Sequence, residues 1–158
     1  MTDIPDICGI WRLQSCYLKN LQSDERSEPY GVRPNGVLIL LPEGRMAALL
    51  TPTEQKRPET EADQADAFRK LVAYSGQYRL EPPDRFVTLV DIAWLQPWVG
   101  SQQARRFALQ GDTLDIITEP KQGLFTGDAM VIYVLSWVRE NTTARLSDRH
   151  VVVDADTL

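Results

Sequence analysis

What most constrains this chain is a two-residue period of apolar and polar side chains, interrupted repeatedly by tight turns bearing Gly or Pro. Such alternation places successive side chains on opposite faces of a strand, and short turns make neighbouring strands antiparallel. Gly9–Lys19 (GIWRLQSCYLK) opens the pattern, with Trp11, Leu13, Ser15 and Tyr17 on one face and Arg12, Gln14, Cys16 and Leu18 on the other. Val37–Leu41 follows, then the turn Pro42-Glu43-Gly44 and the returning strand Arg45–Thr51. After an interruption come Gln77–Glu81, Arg85–Trp94, Gln102–Gln110, Thr113–Thr118 and Ala129–Glu140, with Pro82-Pro83-Asp84 and Gly111-Asp112 as turns. Eight strands in meander order, without the strand–helix rhythm of parallel sheets, predict an all-β, up-and-down antiparallel barrel.

The interruption predicts one helix, between strands 3 and 4, from Glu61 to about Ala73. Thr60 caps it, and Glu61 and Asp63 sit in the first turn, where the helix dipole favours acids. Ala62, Ala65, Phe68, Leu71 and Val72 form an apolar stripe expected to pack on the sheet, and Gly76 is expected to end the element.

At 158 residues the chain is economically one domain, with the barrel over 8–140 and a polar C-terminal extension over 141–158. A net charge of −5 argues against a nucleic-acid partner, which selects a basic face. No apolar run approaches the roughly 20 residues of a membrane helix, so no membrane partner is expected. The N-terminus has acids where a secretory signal would be basic. Cys8 and Cys16 lie along one strand, and at about 3.4 Å per residue they stand roughly 27 Å apart. They are read as free thiols in a cytoplasmic protein.

Dedicated reaction chemistry is sparse. The single histidine, His150, lies in the extension, and no spacing of Cys, His and carboxylates suits a metal. No nucleophile elbow, phosphate loop or dinucleotide fingerprint occurs, so neither catalytic residues nor a cofactor are assigned. What stands out is a lumen. Phe107 and Leu109 point inward by type, which by alternation also turns Gln103 and Arg105 inward and sends Arg106 to solvent. An inward arginine among apolar residues is costly unless paired, so Arg105 either meets a carboxylate or serves an anionic group on a ligand. Trp94, Trp98, Tyr78 and Tyr133 are further cavity candidates, because aromatic rings supply large apolar walls. Arg45, sharing a face with Ala47 and Leu49, is a candidate polar group at the barrel mouth.

Seven short motifs, in order, point to a family. They are Gly9-Ile10-Trp11-Arg12-Leu13, Pro29-Tyr30-Gly31, Gly44-Arg45-Met46, Tyr74-Ser75-Gly76-Gln77-Tyr78, Trp98-Val99-Gly100, Arg105-Arg106-Phe107 and Leu135-Ser136-Trp137-Val138-Arg139. Together they resemble the lipocalin-like domain family from about residue 8 to 140. The resemblance implies a small eight-stranded barrel that binds a small hydrophobic molecule. It also implies that Trp11 plugs one barrel end and is covered by Arg139. Many members carry histidines near the positions of Thr88 and Leu89, and their absence here weakens a catalytic reading. Three functions stay open: binding of a small, largely apolar molecule with an anionic or carbonyl end; a cyclase or isomerase using the same cavity; and a homodimeric interaction protein with a filled core.

Overall fold

In a computed structural model, residues 6–122 and 127–140 are described. The predicted extension 141–158, with His150, lies outside them. The strands are β1 (Gly9–Asn20), β2 (Arg26–Ser27), β3 (Asn35–Leu40), β4 (Arg45–Thr51), β5 (Val72–Glu81), β6 (Arg85–Ala93), β7 (Gln102–Gln110), β8 (Thr113–Thr118), β9 (Lys121–Gln122) and β10 (Met130–Arg139). All pairings are antiparallel, and β1 pairs with both β3 and β10, which closes the sheet. β2 and β9 are two-residue ribbons added to β1 and β10, so eight strands form the barrel itself.

The single α-helix among the described residues, α1 (Glu61–Arg69), connects β4 to β5 rather than strands 3 and 4, because the β2 ribbon precedes it in the count. Its start follows the sequence: the Thr60 hydroxyl accepts from Asp63 N at 3.1 Å, and the Asp63 carboxylate accepts from Thr60 N. Its end does not. Leu50, Leu49 and Ala48 pair with Val72, Ala73 and Tyr74, and this ladder claims residues whose spacing suits a helix. Nor does the stripe pack on the sheet: no residue of α1 is buried, and Phe68 is 48% exposed.

Gly76 likewise serves the sheet instead of ending a helix. Strand β6 carries one extra residue, Asp91, between partners of Ser75 and Gly76, and a Cβ at Gly76 would collide with the Leu89 carbonyl. A second irregularity lies in β1, where Leu13 faces Trp137 and Ser15 faces Ser136, leaving Gln14 as the extra residue. One extra residue reverses the inside–outside phase of everything after it. Cys16 and Leu18 are therefore buried, whereas Ser15 and Tyr17 turn outward, with the Arg26 guanidinium 4.7 Å from the Tyr17 ring. The same reversal after Asp91 leaves Ile92 67% exposed.

The turns at Pro42–Gly44, Pro82–Asp84 and Gly111–Asp112 gather at one end of the barrel, and Gly44, at φ 92°, takes a conformation that suits glycine. That end is plugged. Trp11 is fully buried, its indole N–H donates to Ile7 O at 3.0 Å, and the Arg139 guanidinium lies 4.3 Å from its ring centre. Arg139 also donates to Cys8 O at 2.7 Å and meets Asp112 at 3.4 Å. The longer connections 21–34, 52–71 and 94–101 lie at the opposite end.

Candidate functional site

A cavity of about 100 Å³ opens toward the end with the long connections and is lined from nearly every barrel strand. Its depth is apolar: Leu38, Ala48, Phe86, Ile116 and Leu135 surround the space, with Trp137 in the wall. The turn Gln96–Trp98, which begins a loop after β6, sets Trp98 at the rim. There Trp98 meets Trp94 edge-on at 5.0 Å between ring centres and Tyr74 at 5.1 Å. These rings make one aromatic wall, and edge-to-face contacts fix their orientation.

Into this apolar space project two cations. Arg105 is 8% exposed, as the alternation of β7 predicts, and its guanidinium donates to Ala104 O at 2.8 Å and Gln103 Oε1 at 3.2 Å. Gln103 is held in turn by Ser101, whose hydroxyl donates to Trp98 O at 2.6 Å. Both acceptors of Arg105 are neutral. Among the described residues no carboxylate forms an ion pair with it or lines the cavity. Lys121, on the β9 ribbon paired to Val131, places its ammonium 5.2 Å from the centre of the Trp98 ring. Burial lowers its pKa to about 8, and the nearby Arg105 charge pushes in the same direction. Trp137, only 3% exposed, has no acceptor for its indole N–H among the described residues. The cavity is thus rich in donors and poor in acceptors.

Two tyrosines add hydroxyls. Burial raises the pKa of both Tyr30 and Tyr133, so each stays protonated across the physiological range. The Cys16 thiol, on the same wall, is pushed up to about 12 by burial and is unreactive as a thiolate.

Of the residues singled out from sequence, Trp94, Trp98, Arg105 and Tyr133 line this cavity, and Gln103 stands behind Arg105 as its acceptor. Tyr78 does not reach it. Its hydroxyl donates to Leu41 O at 2.7 Å near the plugged end, with Cys8 Sγ 3.4 Å away. Arg45 is also elsewhere: Met46, Ala48 and Leu50 are the inward residues of β4, and Arg45 pairs outside the barrel with Asp91 at 2.8 Å. The extra residue in β6 is what aims Asp91 at it. Lys121 and Cys16 carry no sequence signal strong enough to find them, and Tyr30 and Tyr74 appear only within family motifs that say nothing of a cavity. Lys121 falls in a Gly-containing stretch without strand periodicity, Tyr74 just past the predicted helix, and Cys16 behind an unannounced bulge.

The model of a lipocalin-like domain matches residues 8–140, which is most of the chain and covers every residue of the cavity. The chain belongs to the lipocalin-like domain family. No curated protein matches it with significant similarity. A lipocalin-like barrel in general is a container for small hydrophobic molecules, and this one has the open mouth, plugged base and apolar lumen that such a role requires. No helix among the described residues is long and apolar enough to cross a membrane.

Proposed function

We propose that this lipocalin-like protein binds a small, largely apolar molecule in the barrel, with an anionic or strongly polarised oxygen of that molecule meeting Arg105. The observation carrying this reading is the state of Arg105, buried in an apolar cavity with only neutral acceptors. A buried charge without a counter-charge is destabilising to the empty protein, so an anion entering the lumen gains the interaction that the fold leaves unmade. The Trp137 indole and the Tyr30 and Tyr133 hydroxyls offer additional hydrogen bonds to oxygen atoms on the molecule.

Size narrows the class. An apolar cavity of about 150 Å³ in another protein holds benzene. At about 100 Å³ this lumen suits a single ring or a short chain, with any larger substituent leaving through the mouth past the aromatic rim that Trp98 and Tyr74 form together. The binding reading is tested by calorimetric titration with benzoate and hexanoate, beside native mass spectrometry of freshly purified protein. Binding of either probe, weakened at least about tenfold by Arg105→Leu, is expected for loss of a charged hydrogen bond. If neither probe binds and no small molecule travels with the protein, the reading is wrong. Benzoate favoured over hexanoate would assign the aromatic wall to ring recognition, and the reverse would assign the cavity to alkyl chains.

A further inference from the structure

Lys121 has a position that anion binding alone does not explain. Salt bridges hold Lys19 to Asp24 at 2.8 Å and Lys70 to Asp66 at 2.9 Å, both at the surface. Lys121 instead projects into the cavity, against Trp98 and beside Arg105, with no carboxylate partner among the described residues. An amine that is desolvated and close to another cation is the arrangement that turns a lysine into a nucleophile, because both influences favour the free base. The other titratable groups lining the cavity are Cys16 on β1, Tyr30 in the connection before β3, Tyr74 on β5, Arg105 on β7 and Tyr133 on β10. None of them can neutralise an ammonium as a carboxylate would.

Resting on the reading of the lumen as a small-molecule site, we propose that Lys121 captures a small apolar aldehyde as a reversible imine. The Nζ lone pair forms a bond to the carbonyl carbon while the C=O π bond opens onto oxygen. That oxygen develops negative charge beside Arg105, the one guanidinium lining the cavity among the described residues, whose remaining N–H groups can hold it. Nitrogen then loses its two protons to that oxygen, the C–O bond breaks, and one water leaves as the C=N bond forms. Nothing is oxidised or reduced. The depth of the cavity excludes bulk water from the product, while the open mouth lets the released molecule depart. With its pKa near 8, Lys121 carries a few hundredfold more free base at neutral pH than an ordinary lysine, about 0.09 against 0.0003 of the population.

The test uses the whole protein with benzaldehyde and sodium cyanoborohydride, which reduces an imine to a stable benzylamine at the lysine. Peptide mapping then reads modification at Lys19, Lys56, Lys70 and Lys121 in the same sample. Lys121 is expected to be modified at least about tenfold faster than exposed Lys56, with a rate that climbs toward pH 8 and levels above it. Benzoate, occupying the same cavity, is expected to protect Lys121 and leave Lys56 unaffected. Lys121→Arg, which keeps the charge but cannot form an imine, is expected to abolish the fast phase. Should that variant fail to fold, the ratio among lysines in the unmodified sequence still decides. Equal modification of Lys121 and Lys56 overturns the proposal. If benzoate nevertheless binds, imine capture falls alone and the binding reading stands; if benzoate does not bind yet Lys121 is modified selectively, the reverse holds.

Discussion

At the plugged end of the barrel Arg139 lies over the Trp11 ring, donates to a backbone carbonyl and meets Asp112. At the mouth Arg105 is more deeply buried, yet has only a neighbouring carbonyl and a side-chain amide to bond. The side chain is the same and so is its length. What differs is whether the fold completes its interactions. A cation satisfied by an aromatic face and a carboxylate belongs to the architecture, and its removal should weaken the fold. A buried cation that the fold leaves without a counter-charge is an internal liability, which makes sense where another molecule supplies the missing charge.

The largest effect should come from breaking the plug. Trp11→Ala removes a fully buried indole and its hydrogen bond to Ile7, and is expected to cost about 4 kcal/mol in denaturant unfolding. Arg139→Met keeps the length of the side chain and loses the stack, the Cys8 hydrogen bond and the Asp112 pair. A loss of about 2 kcal/mol is expected by the same measurement. A plug that tolerates Arg139→Met without loss would erase the contrast between the two ends.

The first half of this contrast was legible in the sequence and much of the second was not. Trp11 and Arg139 occupy positions that the family resemblance marks as a plug, and they lie in strands with clear alternation. Arg105 was found by counting in twos from Phe107, which works because β7 has no bulge. Counting in twos fails across β1 and β6, where single extra residues at Gln14 and Asp91 invert the phase. A bulge is set by closure of the barrel and the crossing of strands, which local pattern does not report. Val72 and Ala73 belong to a strand rather than the predicted helix for a related reason: pairing with β4 outweighs local spacing. Lys121 was invisible because its strand is two residues long and exists only through pairing with β10.

Lys121 extends the comparison to a cation that can discharge. Its pKa of about 8 lies below the ordinary lysine value of 10.5, so the fold disfavours the ammonium relative to the unfolded chain. Below about pH 8 that burden is fully present in both states' comparison, because unfolded and folded chains both hold the proton. Between about pH 8 and 10.5 the unfolded chain binds more protons, and its contribution to stability therefore rises with pH. Lys121→Met should remove that rise. With relaxation by water at the mouth, the difference between the two proteins across the window is expected to be about 1–2 kcal/mol, read from unfolding curves at stepped pH. A parallel pair of pH profiles would mean that Lys121 is already satisfied, as Arg139 is.

Smaller still, and opposite in sign to Arg139→Met, is the expected result of Arg105→Leu on the empty protein. Replacing an uncompensated buried guanidinium by an apolar side chain should leave stability unchanged or raise it by about 1 kcal/mol. A destabilisation matching that of Arg139→Met would show that Gln103 and Ala104 satisfy Arg105 fully, and the lumen would lose its reason to receive an anion.

Arg45→Leu supplies the zero of this scale. Its guanidinium pairs with Asp91 at 2.8 Å on the outside of the barrel, holding that carboxyl below its usual range, and also reaches Ser75 Oγ at 3.3 Å. Both partners of the ion pair are open to solvent, where water and salt replace most of the interaction and ordering two side chains offsets the rest. No shift in the unfolding midpoint and no change in benzoate affinity are therefore expected. Because Arg45 and Arg105 both sit on barrel strands, a change in benzoate affinity from Arg45→Leu would mean that net positive charge, rather than placement inside the wall, governs binding. If the affinity instead responds to Arg105 alone, the distinction rests on one geometrical fact. The side chain of β7 passes through the face of the sheet that water does not reach, and that of β4 does not.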